Sequence, residues 1–165
     1  MSTDGSKART LGRVRVIADY QFGAGAGAGL FPGDCRFTLS QTGRVRQVLL
    51  GDARLATLRA YDGRLTLSFA GAERLREVLL PPAYRVGIDP SVSEFIPKAK
   101  TAFARHVVST DPGIRAGDEV LIVTAEDGLL ATGMALLSGP EMLSFNYGPA
   151  VKIREGRESG CSQER

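Results

Sequence analysis

The stretch Ala102-Phe103-Ala104-Arg105-His106-Val107-Val108, followed by Asp111-Pro112-Gly113 and then Ile114-Arg115-Ala116-Gly117-Asp118-Glu119-Val120, decides how this chain is read. Apolar residues alternate from Thr101 to Val108, which predicts a strand. Asp111-Pro112-Gly113 is a turn, because proline presets φ and glycine tolerates what side chains do not. Glu119 to Thr124 then predicts a second strand. On the first strand Ala102, Ala104 and His106 share one face. Phe103 and Val107 read as buried on the other, with Arg105 at its rim.

The same pattern extends in both directions. Upstream, Tyr84, Val86 and Ile88 alternate as a strand, and Pro90 to Pro97 holds a short helical turn carrying Phe95 and Ile96. Downstream come a turn at Glu126-Asp127-Gly128, a strand from Leu129 to Leu137, a short helix from Gly139 to Phe145 capped by Ser138, and a last strand from Ala150 to Ile153. Short strands at regular spacing with brief helical inserts predict a small closed or nearly closed barrel over 83–156.

Residues 10–82 read differently. Leu11, Val14 and Ile17 recur at helical spacing, although Arg13-Val14-Arg15-Val16 also alternates like a strand; the helix is favoured over 11–22 because a glycine-rich run stops it. Cys35–Ser40, Arg44–Leu50, Leu55–Tyr61 and Arg64–Phe69 form an antiparallel set, with Asp62-Gly63 as a two-residue hairpin turn. Ala70 to Leu80 is helical until Pro81-Pro82. The fold class is α+β: a small antiparallel α/β N-terminal domain followed by a small β-barrel. The polar segments 1–9 and 157–165 read as disordered.

Composition excludes several functions. No apolar run approaches the roughly 20 residues of a membrane span, and the start lacks signal-peptide character, so the expectation is a cytoplasmic protein. Cys35 and Cys161 form no metal pattern and one histidine cannot build a zinc cluster, so no metal and no cofactor is expected. Residues 1–82 hold 12 Lys and Arg, all but one of them arginine, against 7 Asp and Glu, a net of +5. Residues 83–165 hold 9 against 11, a net of −2. The asymmetry favours an anionic partner mildly.

The run Gly23-Ala24-Gly25-Ala26-Gly27-Ala28-Gly29 lacks the Lys-Ser/Thr of a phosphate loop and the strand and acidic residue of a dinucleotide site. Close backbone packing, or a mobile turn over the sheet, accounts for it better. His106 has no serine, cysteine or carboxylate placed beside it by the pattern, so it defines no catalytic base. A small enzyme built on Asp19, Asp34 or His106 is the weakest reading, and no catalytic residue is assigned. Tyr20 and Phe22 read as core anchors.

With these residues in view, 84–156 resembles the PUA domain, a small RNA-binding barrel. The resemblance rests on Phe103-Ala104-Arg105-His106-Val107-Val108, Ile114 to Val120, Met134 to Ser138 with Glu141-Met142-Leu143, and Gly148 to Arg154. Ile17 to Gly23, Gly25-Ala26-Gly27, Leu30-Phe31-Pro32 and Thr42 to Arg46 resemble the domain that precedes PUA in archaeal tRNA-guanine transglycosylases and archaeosine synthases. The likeness covers residues 10 to 156 and lacks those enzymes' catalytic barrel. It implies the RNA-binding half standing alone, as a separate gene product or a dissected fragment: a non-catalytic RNA-binding protein for structured RNA, expected to be the acceptor stem and 3′ end of tRNA, with a separate catalytic transglycosylase subunit as a further partner. By resemblance, the RNA-facing side carries Lys98, Lys100, Arg105, His106, Lys152 and Arg154. One departure stands out: Lys98-Ala99-Lys100 has alanine where PUA domains have glycine, which predicts a looser backbone approach to RNA. The competing expectation is a protein-interaction module in translation or ribosome assembly, which the net −2 of the barrel region keeps open.

Overall fold

The computed structural model describes residues 3–157 and divides into two compact units, Met1–Val78 and Leu79–Arg165. The tail 158–165, with Cys161, lies outside the described residues, as do residues 1–2. The sequence places the boundary at Pro82. The compact units divide four residues earlier; Arg85 N–H donates to the Pro82 carbonyl and Tyr84 N–H to Asp111.

The first unit begins with helix α1, Thr3–Phe22. Val14, Ala18 and Phe22, one turn apart, form its buried stripe, which settles the helix-or-strand ambiguity. Residues 3–9, expected to be loose, are instead its first turns. Propagating a nucleated helix is cheap even without an apolar face, and Asp4 suits the positive end of the dipole. Tyr20, expected in the core, is 95% exposed, while Phe22 is buried as expected. The glycine run builds a five-residue helix, α2 (Ala26–Leu30). A Cβ on Gly27 would stand 2.2 Å from the Arg15 carbonyl, so glycine is what lets α2 touch the α1 backbone. The Gly27 N–H donates to Asp19 Oδ1 at 2.7 Å; a carboxylate of the chain itself occupies the place a phosphate would take.

Strands β1 (Arg36–Leu39), β2 (Val45–Leu50), β3 (Ala53–Leu58) and β4 (Leu65–Leu67) form an antiparallel sheet in that order. At the β4 edge the Gln21 side chain bonds both the N–H and the carbonyl of Leu65, at 2.8 and 2.9 Å, standing in for a strand neighbour. The Asp62-Gly63 turn is wider than a two-residue hairpin: Arg59 N–H closes the loop on the Arg64 carbonyl. Helix α3 (Phe69–Val78) starts at Ser68, whose hydroxyl accepts from Gly71 N–H at 3.1 Å.

The second unit is a six-stranded sheet of order β6-β10-β9-β8-β5-β7, with β5 Arg85–Ile88, β6 Thr101–Phe103, β7 Val107–Thr110, β8 Glu119–Val123, β9 Leu129–Ala135 and β10 Pro149–Gly156. Only β5 and β8 run parallel. β6 and β7 stand at opposite ends of that order, yet only residues 104–106 separate them. That connection reaches at most about 14 Å, whereas the edges of a flat six-stranded sheet lie about 24 Å apart. The sheet therefore curls into a half-barrel around Val86, Ile88, Val120, Ile122, Leu130 and Val151. Helix α4 (Gly139–Ser144) packs its Met142 into this core, capped by Ser138 as expected.

The strand predicted over Thr101–Val108 is corrected. A 3-10 turn at Ala104–His106 divides it and resets the alternation. Ala102, Ala104 and Val107 face inward, and Phe103, expected to be buried, is 42% exposed.

Candidate nucleic-acid interface

The β6 edge of the half-barrel and its neighbour β10 place most of the cations singled out in the sequence. Lys152 on β10 pairs across from Thr101, and Ile153 N–H donates to the Lys100 carbonyl at 2.9 Å, so Lys100 and Lys152 lie on adjoining backbone. Lys98 ends the 3-10 turn Ile96–Lys98. A Cβ on Gly156 would meet the Pro97 carbonyl at 1.8 Å, so glycine allows the end of β10 to press against that turn. Lys98, Lys100 and Lys152 are all exposed.

Arg105 extends from the turn after β6, with its guanidinium 5.8 Å from the Phe103 ring centroid. Its Nε donates to Nε2 of His106 at 3.1 Å. His106 is half-buried, its side-chain partner is this arginine, and its carbonyl accepts from Asp89 N–H. Hydrogen bonds from the Ser91 backbone N–H and hydroxyl hold the Asp89 carboxyl below its ordinary value, so a fixed negative charge stands near His106.

Arg154 also has a role in the fold. Its Nη1 donates to Oε2 of Glu119 at 2.5 Å, and the Glu119 side chain is only 3% exposed. Burial obliges this carboxylate to take a cationic partner, so Arg154 is committed to the fold. Ala99 sits at φ −79°, ψ 155°, an extended conformation open to any residue. Alanine here therefore carries no backbone strain.

Sequence reasoning missed the aromatic part of this surface. Phe145 and Tyr147 stack with centroids 6.5 Å apart and planes 14° apart, and Tyr147 is 80% exposed. Their loop runs directly into β10, where Pro149 pairs with Phe103 and the Gly148 carbonyl accepts from Ala104 N–H. Two aromatics spaced by one residue in a polar loop, Phe145-Asn146-Tyr147, were the available signal. Cations with exposed rings can bind phosphates and stack unpaired bases. Among the described residues no group of three or more His, Cys, Asp or Glu side chains is arranged to hold a metal ion, and no helix is long and apolar enough to cross a membrane.

Residues 12–82 match the family described as the patch-forming domain C2 of tRNA-guanine transglycosylase, and residues 84–157 match the PUA domain. The tRNA-guanine(15) transglycosylase of Methanothermobacter thermautotrophicus is 49% identical over 147 residues, 88% of this chain and 22% of that protein. The Pyrococcus abyssi enzyme of the same name is 50% identical over 89% of this chain and 25% of its own length. This chain is a C2–PUA pair of the archaeal tRNA-guanine transglycosylase family. It spans about a quarter of the length of the curated relatives it matches. The C2–PUA fold recurs in the crystal structure of the hypothetical protein PH0734.1 from Pyrococcus horikoshii OT3, with a TM-score of 0.71 and 21% identity over 93% of this chain and 95% of that one. A conserved PUA domain protein from Thermoplasma acidophilum gives 0.62 and 20% identity over 92% and 90%. In the C2–PUA pair, the β6–β10 edge with its lysines and rings belongs wholly to the PUA domain.

Proposed function

We propose that this C2–PUA pair binds structured RNA without transforming it, and that its ligand is tRNA held at the acceptor stem and 3′ end. The observation that carries the reading is the run of Lys98, Lys100, Lys152 and Arg105 beside exposed Phe103, Phe145 and Tyr147 along one sheet edge. A paired stem offers phosphates and 2′-hydroxyls to lysine and arginine, while a single-stranded end offers base faces to aromatic rings. Near-50% identity to proteins named for acting on tRNA supports tRNA as the RNA. His106 contributes at the margin, because Arg105 and Asp89 already surround it. Arg154 acts through the fold.

In this reading the protein presents tRNA to a separate catalytic transglycosylase. The test is binding of the full chain to a folded tRNA with and without its 3′ CCA. Weaker binding to the trimmed tRNA, and a further loss in Lys100→Ala/Lys152→Ala, is the expected result. Binding indifferent to both changes overturns the acceptor-end assignment and moves the weight to a protein-docking module. Addition of the chain to a transglycosylase catalytic subunit is expected to raise the rate of tRNA modification, and an unchanged rate rejects the presenting role.

A further inference from the structure

The C2 domain carries a groove that mixes two chemistries, cationic and aliphatic. It opens between the N-terminal half of α1 and the ends of β1, β2 and β3, with a volume of about 1010 Å³. Its α1 wall is a single stripe, because Ser6, Arg9, Thr10, Arg13 and Ile17 recur at helical spacing and share a face. That stripe runs about 16 Å, the length of roughly three helical turns or five extended residues. The facing wall adds Arg44 and Arg46 where β2 begins and Arg59 just past β3. Arg59 is already engaged, pairing with Asp62 at 2.7 Å and lying 5.1 Å from the Tyr61 ring centroid. The lining contains no Asp or Glu. The exposed side chains of Arg9, Arg13, Arg44 and Arg46 have no ion-pair or hydrogen-bond partner among the described residues.

Between these cations the lining is apolar. Ile17, Val45 and Leu58 are half-buried in it, Leu39 is 59% exposed and Tyr61 81% exposed. A solubilising face would intersperse carboxylates and leave aliphatic side chains out. Apolar side chains gathered in a concavity and rimmed by polar residues mark a surface that a partner covers. Protein interfaces are enriched in this pairing of arginine with aromatic and apolar groups. Arginine stems pack along apolar neighbours while the guanidinium forks take carboxylates two bonds at a time. The occupant that complements both chemistries is a polypeptide segment alternating carboxylates with apolar side chains. Carboxylates one turn apart on such a segment match the spacing of Arg9 and Arg13, and apolar side chains between them meet Ile17. The net +5 of residues 1–82 steers an acidic partner toward this domain.

We infer that this groove docks an acidic segment of a partner protein, about three helical turns long, with apolar side chains set between its carboxylates. The inference uses other residues than the RNA reading and does not depend on it. The test is selection of a random peptide library, displayed on phage, against the immobilised full chain, followed by anisotropy titration of the enriched peptides. Enriched peptides are expected to join Asp or Glu to Leu, Ile or Phe. Arg13→Ala/Arg46→Ala is expected to weaken them on the order of tenfold, and Leu39→Ala to weaken them by less. Replacing the apolar residues of a peptide by serine, at unchanged charge, is expected to cost a similar loss. All three substituted positions are exposed, so circular dichroism and Tm are expected to match the wild type. The control Lys100→Ala/Lys152→Ala is expected to keep the peptides. A library that enriches no peptide, or peptides that the groove variants bind as the wild type does, overturns the inference. So do peptides indifferent to the serine replacement, which would be held by charge alone. A groove variant that loses tRNA and keeps the peptides overturns it as well and makes this surface an RNA contact. A chain that binds no tRNA while its peptides still need Arg13 and Arg46 rejects the RNA reading and leaves this one standing.

Discussion

The Glu119 carboxylate is nearly out of water, with the Arg154 guanidinium 2.5 Å away and 32% of that arginine side chain still exposed. Removing the arginine takes a charge-assisted bond from a buried carboxylate; breaking a buried pair costs roughly 3–5 kcal/mol, and with about a third of the Arg154 side chain exposed the loss is about 2 kcal/mol. Arg154→Met is therefore expected to lower Tm by several degrees, and adding Glu119→Gln to recover much of the loss, as thermal melts of the double-mutant cycle will report. Lys152→Met, two residues away, is expected to leave Tm unchanged and to weaken tRNA binding. The contrast separates a cation that also serves the fold from one that does not. Sequence gives the charges of Lys152 and Arg154, but Glu119 lies 35 positions upstream of the arginine. Only the β8–β9–β10 ladder brings it within reach. Lys98, Lys100 and Lys152 stand exposed on or beside the β6–β10 edge.

Helix α4 shows an element whose energetics can be read before folding. Ser138 Oγ accepts from Glu141 N–H at 3.4 Å, and Glu141 Oε2 accepts from Ser138 N–H at 2.8 Å, a reciprocal capping box. Ser138→Ala is expected to cost about 1 kcal/mol, read by denaturant titration. Hydrogen bonds to the carboxylate from the Ser138 backbone N–H and, second, its side chain hold the Glu141 carboxyl below its ordinary value of 4.5. A depressed folded value means the stabilisation is fully present above about pH 4.5 and is lost as the pH falls through the folded value. Glu141→Gln should therefore show a smaller drop in Tm on acidification than the wild type; equal drops in the two would reject the cap as the titrating group. Ser138 and Glu141 sit at fixed spacing ahead of an apolar residue, so this helix was readable. The strand expected over Thr101–Val108 was not, because a single 3-10 turn has no period to announce it. The exposed side of Phe103 follows from that reset, and much of the aromatic surface was hidden with it.

At the scale of the whole molecule, each unit buries a core of its own. Leu55, Leu65, Leu67 and Leu75 close the first, and Val86, Val120, Ile122 and Val151 the second. The two fold types were legible because period-2 strands and period-3.6 helices can be told apart along the chain. Charge also divides along this line, +5 before Ala83 and −2 after it, so the domain richer in cations is not the one the resemblance names for RNA. Two cores predict two separable stabilities. Ile122 and Leu75 are fully buried, and truncating either to alanine is expected to cost about 2–5 kcal/mol. That is a large share of a small domain's 5–15 kcal/mol, so Ile122→Ala is expected to split the melt into two transitions. Hydrogen exchange should then speed up across 85–157 while 14–78 keep their protection, with Leu75→Ala giving the converse. Bound tRNA stabilises whichever folded unit it touches. If the PUA edge holds RNA, saturating tRNA raises the lower transition of Ile122→Ala. A single transition with uniform exchange in both variants would instead mean that the two units unfold as one.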